Sequence, residues 1–295
     1  MRYKVILVLM TVLLLTACKP GETWKSITSW LSSKSDLKTP LPAGSTVTAI
    51  TGNQQLTIFA AASLKDAFQE IGQDFETANP GVKVTFNFAG SQTLSTQITL
   101  GATADVFASA NHAEMDKLIT GGMVRQDASM DFLTNRLVVI LSPDNPAKIA
   151  TLHDLTRAGL KILTADETVP AGKYTLEVLK KLSADPSFGD DFITLVLNNL
   201  VSKENDVKLV VAKVQLGEAD AGFAYFSDTV AASQLKFLEI PARDNVIARY
   251  PIAFLNNSTQ DELARSFLGY ILSPAGQEIL KKWGFDPISR QEILS

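Results

Sequence analysis

The segment "LTIFAAASLKDAF" (residues 56–68) changes character halfway along its length. Leu56-Thr57-Ile58-Phe59 is a short apolar run that ends in three alanines and then Ser63. From there the apolar residues take up a helical spacing through Leu64, Ala67, Phe68, Ile71 and Phe75. The spacing predicts a strand feeding directly into a helix, with small side chains at the junction. Such a junction lets a solute reach the helix N-terminus, where backbone N–H groups lack intrahelical partners.

The alternation continues downstream. "VKVTFNFAG" (82–90) reads as a strand and runs into "SQTLSTQITLG" (91–101), a second helix closed by Gly101, as the first is closed by Asn79-Pro80-Gly81. "ADVFASA" (104–110) and "HAEMDKLITGG" (112–122) make a third strand–helix pair. This β-α-β-α-β-α order implies an α/β fold with a mostly parallel sheet flanked by helices. "NRLVVILSP" (135–143) opens a second series: strand "KILTAD" (161–166), helices "AGKYTLEVLKKLS" (171–183) and "DVKLVVAKVQLGEA" (206–219), then strands "AGFAYFSD" (221–228) and "KFLEI" (236–240). "STQDELARSFLGYIL" (258–272) and "SPAGQEILKKWGF" (273–285) each begin at a serine and read as helices. Two lobes result, 56–135 with 252–295 and 136–251, and "NRLVVIL" and "RYPIAFL" are the expected crossovers.

Open α/β sheets bind solutes at the carboxyl ends of their strands. Four helix starts share a chemistry suited to that position. Ser63 begins the first and Ser91, after Ala89-Gly90, the second; Pro170-Ala171-Gly172 opens a third and "KENDVKLV" (203–210) a fourth near Val207. Each offers free N–H groups and the positive end of a helix dipole, and two add a hydroxyl. Small residues at Ala60–Ala62, Gly90, Ala171 and Gly172 permit close approach, and the combination suits an oxyanion. Taken singly, each feature has a plain alternative. Ser63 and Ser91 read as N-caps, Pro170 as an ordinary helix entry, and Tyr225 in "GFAY" as a half-buried strand residue. Only their conjunction points to a ligand.

Catalysis and metal binding find little support. His112 and His153 are lone and lie on polar, helix-like segments, which reads as surface placement, and no cluster has metal-ligand spacing. "VPAGKYT" (169–175) fails as a phosphate loop, because Glu167 stands at the first glycine position and Tyr174 replaces Ser/Thr. There is no G-x-S-x-G elbow. Ser63 and Lys65 point apart on a helix and form no dyad.

The N-terminus carries a separate message. Arg2 and Lys4 precede a nearly all-apolar run from Val5 to Leu15, and "LTAC" (15–18) follows. The run is too short to span a bilayer comfortably, which disfavours an uncleaved anchor helix. It resembles the lipobox of bacterial lipoproteins, which implies a signal peptide over 1–17 and lipidation of Cys18, the chain's single cysteine. Cleavage would take the formal net charge from −4 to −6 by removing Arg2 and Lys4, which disfavours nucleic acid as a partner. Residues 18–55 are rich in Ser, Thr, Pro and Gly and read as a flexible tether of about 35 Å root-mean-square span. Trp24 and Trp30 within it are either membrane-interface contacts or local packing.

"FAAASLKDAFQEI", "FAGSQTLSTQI", "GATADVFASAN", "VPAGKYTLEVLKKL", "ENDVKLVVAKVQLGEADAGFAYFSD" and "YPIAFL" together resemble the molybdate-binding component of bacterial ABC importers, a type II periplasmic-binding-protein family. The likeness runs in order over about residues 56–288. It implies a two-lobed fold with a tetrahedral anion in the interlobe cleft, held by hydroxyls, amides and one tyrosine, with no lysine or arginine. Carried over by motif, the binding positions are Ser63, Ser91, Ala171, Val207 and Tyr225. Together with the N-terminal pattern it implies an exported, lipid-anchored, monomeric receptor without cofactor that passes molybdate or tungstate to a membrane permease. Gly90 and Gln92 stand where serines are common, and Lys208 follows Val207. A sulfate receptor, a ferric-ion receptor using Tyr225, Tyr174 or Tyr250, and a serine hydrolase using Ser63 or Ser91 are the competing readings.

Overall fold

The computed structural model describes residues 54–288. The readings of the signal peptide, Cys18 and the tether up to residue 53 lie outside that range. In chain order the elements are β1 (Gln54–Ala61), a 3₁₀ turn (Ala62–Leu64), α1 (Lys65–Ala78), β2 (Val82–Ala89), α2 (Ser91–Thr99), β3 (Val106–Ala108), α3 (His112–Thr120), β4 (Met130–Leu141) and β5 (Ile162–Ala165). They continue with α4 (Pro170–Ala184), α5 (Phe192–Asn198), β6 (Leu200–Glu204), α6 (Val207–Gln215), β7 (Ala221–Tyr225), α7 (Phe226–Ala231) and β8 (Lys236–Glu239). β9 (Ile247–Phe254), α8 (Asp261–Ile271), α9 (Pro274–Lys282) and β10 (Asp286–Pro287) complete the described chain.

The strands form one path, β2-β1-β3-β9-β4-β7-β5-β6, with β8 and β10 pairing β4. Its two ends are parallel: β1 pairs β2 and β3, and β5 pairs β6 and β7. Between them β9 runs antiparallel to β3 and β4, and β4 antiparallel to β7. The expected crossover segments are therefore the antiparallel strands that join two parallel halves. The helical spacing after Ser63 is realised in α1, which buries Ala67, Phe68, Ile71 and Phe75. Phe68 and Phe75 meet Phe267 of α8 edge-on, at ring-centroid distances of 6.2 and 5.2 Å. Each such buried ring contributes roughly 1.5–3 kcal/mol, enough to hold α1 against α8.

Two expectations are corrected. The stretch 192–204 contains α5 and β6, which the sequence reading passed over. The penultimate helix starts at Asp261 and not at Ser258. The Ser258 hydroxyl is engaged elsewhere, donating to Asp105 Oδ1 at 2.7 Å and accepting from Gln260 N at 3.0 Å. Among the described residues no helix is long and apolar enough to cross a membrane.

Candidate oxyanion site

Strand register brings the site together. Ala61 of β1 pairs with Ala89 of β2, and Ala60 with Ala108 of β3, so the carboxyl ends of three parallel strands lie side by side. Ser63, Ser91 and Ala110 each stand two residues beyond a paired alanine. In the other half Ala165 of β5 pairs with Glu204 of β6, and Pro170-Ala171 and Val207 follow at the starts of α4 and α6. Tyr225 is the last residue of β7. All five expected positions line one pocket, together with Ala61, Ala62, Gly90, Ala110, Val169, Pro170 and Asp206. Each of the five is at most 5% exposed, so a bound solute would be taken out of water. Counted with its mouth the pocket holds about 210 Å³. That suits a compact solute.

Neither serine caps its helix. Ser63 lies in the 3₁₀ turn ahead of α1 and makes no capping bond; its Oγ is 2.9 Å from the hydroxyl of Tyr250 on β9. Ser91 is the first residue of α2, and its Oγ accepts from the Ala110 N–H at 3.0 Å. A hydroxyl whose acceptor side is engaged keeps its proton for another partner. The N-cap alternative is thereby removed for both.

The other half contributes main chain. Pro170 occupies the first position of α4 and has no N–H, leaving those of Ala171 and Gly172 without intrahelical acceptors. A Cβ on Gly172 would lie 2.1 Å from the Asp166 carbonyl oxygen and 2.4 Å from that of Ala165, so only glycine lets α4 start this close to β5. Asp206, itself in the lining, caps α6 by accepting from Leu209 N at 3.0 Å, and the N–H groups of Val207 and Lys208 remain. Tyr225 is fully buried rather than half-buried. Among the described residues its phenol oxygen has no hydrogen bond of ordinary geometry, the Tyr250 hydroxyl being its nearest polar influence. Burial pushes its pKa well above the ordinary phenol value, with Tyr250 and Tyr174 adding to the shift, so it stays a neutral donor.

The departures from the family pattern have structural reasons. A Cβ on Gly90 would approach the Asn205 carbonyl oxygen to 2.7 Å, and Gln92 Nε2 donates to that same oxygen at 3.1 Å, so α2 and the turn before α6 touch here. Lys208 is absent from the pocket lining. Its ammonium lies 2.7 Å from Asp66 Oδ2 and 3.0 Å from Asp228 Oδ1. Asp228 is fully enclosed; burial raises its carboxyl pKa while Lys208 opposes the rise. The cation is thus matched locally, and no lysine or arginine lines the pocket.

Competing chemistries lose ground on the same geometry. His112 pairs with Asp131 at 2.8 Å and His153 with the Ser187 carbonyl at 2.8 Å; both histidines are exposed. Among the described residues no group of His, Cys, Asp and Glu could hold a metal ion. Of the tyrosines a ferric site would need, Tyr250 is bound to Ser63 and stays outside the lining. Sequence reading missed Ala110, although it sits at the same two-residue offset as the serines, and weighed Tyr250 only as a ferric-ion ligand, since nothing local in "RYPIAFL" signals its contact with Ser63.

Comparison with known proteins follows the same line. A family model described as bacterial extracellular solute-binding protein matches residues 56–286. The molybdate-binding protein ModA of Mycobacterium tuberculosis is 40% identical over 245 residues, 83% of this chain and 89% of that protein. The periplasmic molybdate-binding protein of Azotobacter vinelandii superposes with a TM-score of 0.69 at 20% identity, covering 79% of this chain and all of that one. The sulfate-binding protein SubI of M. tuberculosis superposes with a TM-score of 0.73 at 17% identity, over 82% and 89% of the two chains. Both structures share the two-lobed type II periplasmic-binding-protein fold, which on its own does not choose between their solutes. The chain belongs to the family of bacterial extracellular solute-binding proteins, non-catalytic transport components among which ModA is its relative.

Proposed function

We propose that this protein is the molybdate receptor of an ABC importer, taking tungstate comparably because the two anions are nearly the same size. The observation that carries the reading is the pocket itself. Two serine hydroxyls, a buried phenol with no hydrogen bond of ordinary geometry and two helix N-termini line it without a lysine or arginine. Its magnitudes are adequate. Desolvating an ion costs several kcal/mol, and more for a dianion. Three hydroxyl donors and the four N–H groups of Ala171, Gly172, Val207 and Lys208, at about 1.5–3 kcal/mol each, give on the order of 10–20 kcal/mol gross. After association costs this permits sub-micromolar binding. A relative with 40% identity that is named for molybdate supports the choice of anion over sulfate.

In the same proposal the mature protein begins at a lipidated Cys18, has no resident cofactor, and works as a monomer tethered by residues 18–55 at the extracytoplasmic face. Its lobes are 56–135 with 252–295 and 136–251, closing on the anion. The test is a thermal-shift series on the mature domain with molybdate, tungstate, sulfate and phosphate. Large shifts with the first two are expected; a shift with sulfate alone would replace the reading with a sulfate receptor.

A further inference from the structure

Tyr250 is fully buried on β9, outside the pocket lining, yet its hydroxyl is 2.9 Å from Ser63 Oγ. The direction of that hydrogen bond decides what Ser63 can offer. A phenol is a better donor and a poorer acceptor than an alcohol. The surroundings point the same way. Asn135 has its Oδ1 engaged by Arg136 N at 2.9 Å and its Nδ2 turned to Ser227 Oγ at 2.9 Å. That amide nitrogen also acts on the Tyr250 oxygen from its acceptor side. Tyr250 has no water-exposed surface, and Ser63 Oγ at 2.9 Å is better placed to accept its proton than the neighbouring Tyr225 phenol, which makes no hydrogen bond of ordinary geometry.

Ser91 shows the same arrangement by other means, its acceptor side taken by Ala110 N. Asp206, the one carboxylate in the lining, has Oδ1 committed to Leu209 N. On the oxyanion reading above, we propose that Tyr250 is a specificity-determining positioning residue. By donating to Ser63 it leaves that hydroxyl's proton to the pocket, so Ser63 meets an anion as a donor and the cavity favours a fully deprotonated oxyanion over one that carries a proton. Monohydrogen phosphate would turn its O–H toward hydroxyls whose own protons already point at it.

The test is calorimetric titration of the wild type, Tyr250→Phe, Ser63→Ala and the double variant with molybdate and with inorganic phosphate at pH 8. Tyr250→Phe removes one oxygen and keeps the ring that packs on Tyr225 and Phe285; circular dichroism checks its fold. Expected are a roughly five- to tenfold loss of molybdate affinity, phosphate binding that becomes measurable, and less than about a twofold further loss when the change is made in Ser63→Ala. Unchanged affinity and selectivity in Tyr250→Phe overturn the proposal. An equal loss in both backgrounds also overturns it, since Tyr250 would then act without Ser63. A wild type that ignores molybdate removes the receptor reading itself, an outcome read before any variant is titrated.

Discussion

The two halves of the pocket hold their donors in different states. On the β1–β2–β3 side the hydroxyls of Ser63 and Ser91 are already engaged, by Tyr250 and by the Ala110 N–H, before any solute arrives. On the β5–β6–β7 side the Tyr225 phenol is enclosed with no hydrogen bond of ordinary geometry among the described residues, and the α6 start rests on a buried ion pair. The first side is satisfied and oriented. The second carries an unmet polar group, a cost of about 1–3 kcal/mol that a bound anion would remove. The lesson is that a site built of neutral donors divides its labour: one wall fixes direction, and the other stores a deficit that binding relieves.

Four measurements would break or sharpen that contrast. The largest effect is expected from Lys208→Met, which strands Asp228 in full enclosure and should cost about 3–5 kcal/mol in denaturant unfolding. The pH dependence has a definite sign. The Asp228 pKa is raised in the folded state, so its ionisation opposes folding; the penalty is absent at acid pH and grows as pH rises through the folded value. The variant should therefore lose more stability at pH 8 than at pH 4. Ser63→Ala comes next. It should weaken molybdate binding by about 1.5–3 kcal/mol and also lower stability by about 1 kcal/mol, because Tyr250 loses its acceptor.

Tyr225→Phe should behave oppositely in stability. Binding weakens by about 1.5–3 kcal/mol while the unliganded protein gains about 1 kcal/mol, since an unsatisfied group is removed. A loss of stability in both tyrosine and serine variants would erase the contrast between the walls. The smallest effect is an expected constancy. Tyr225 has its pKa raised well above 10, so it remains a donor and molybdate affinity should change by less than about twofold between pH 6.5 and 9. A decline on the alkaline side would mean that the phenol titrates.

What was legible in the sequence was local. Ser63, Ser91, Ala171, Val207 and Tyr225 each sit at a strand end or helix start, and the change from apolar run to helical spacing marks those junctions along the chain. What stayed hidden was pairing across the fold. Ser63 and Tyr250 are 187 residues apart and meet because β9 runs antiparallel beside β3. Lys208 looks like a stray cation in "NDVKLV" until α1 and α7 bring Asp66 and Asp228 to it. The segment around α5 and β6 escaped for another reason. "FITLVLNNLVSKE" (192–204) is apolar enough for either helix or strand, and no proline or glycine separates the two. At Ser258 a good capping residue was taken by Asp105, a tertiary partner that no local pattern reveals.

The central claim is that neutral donors alone solvate a doubly charged anion here. A crystal structure of the molybdate complex tests it most directly. The account predicts anion oxygens within hydrogen-bond distance of Ser63 Oγ, Ser91 Oγ, Tyr225 Oη and the N–H groups of Ala171 and Val207, with Lys208 still on Asp66 and Asp228. An anion bound by Lys208, or seated away from these five residues, would contradict it.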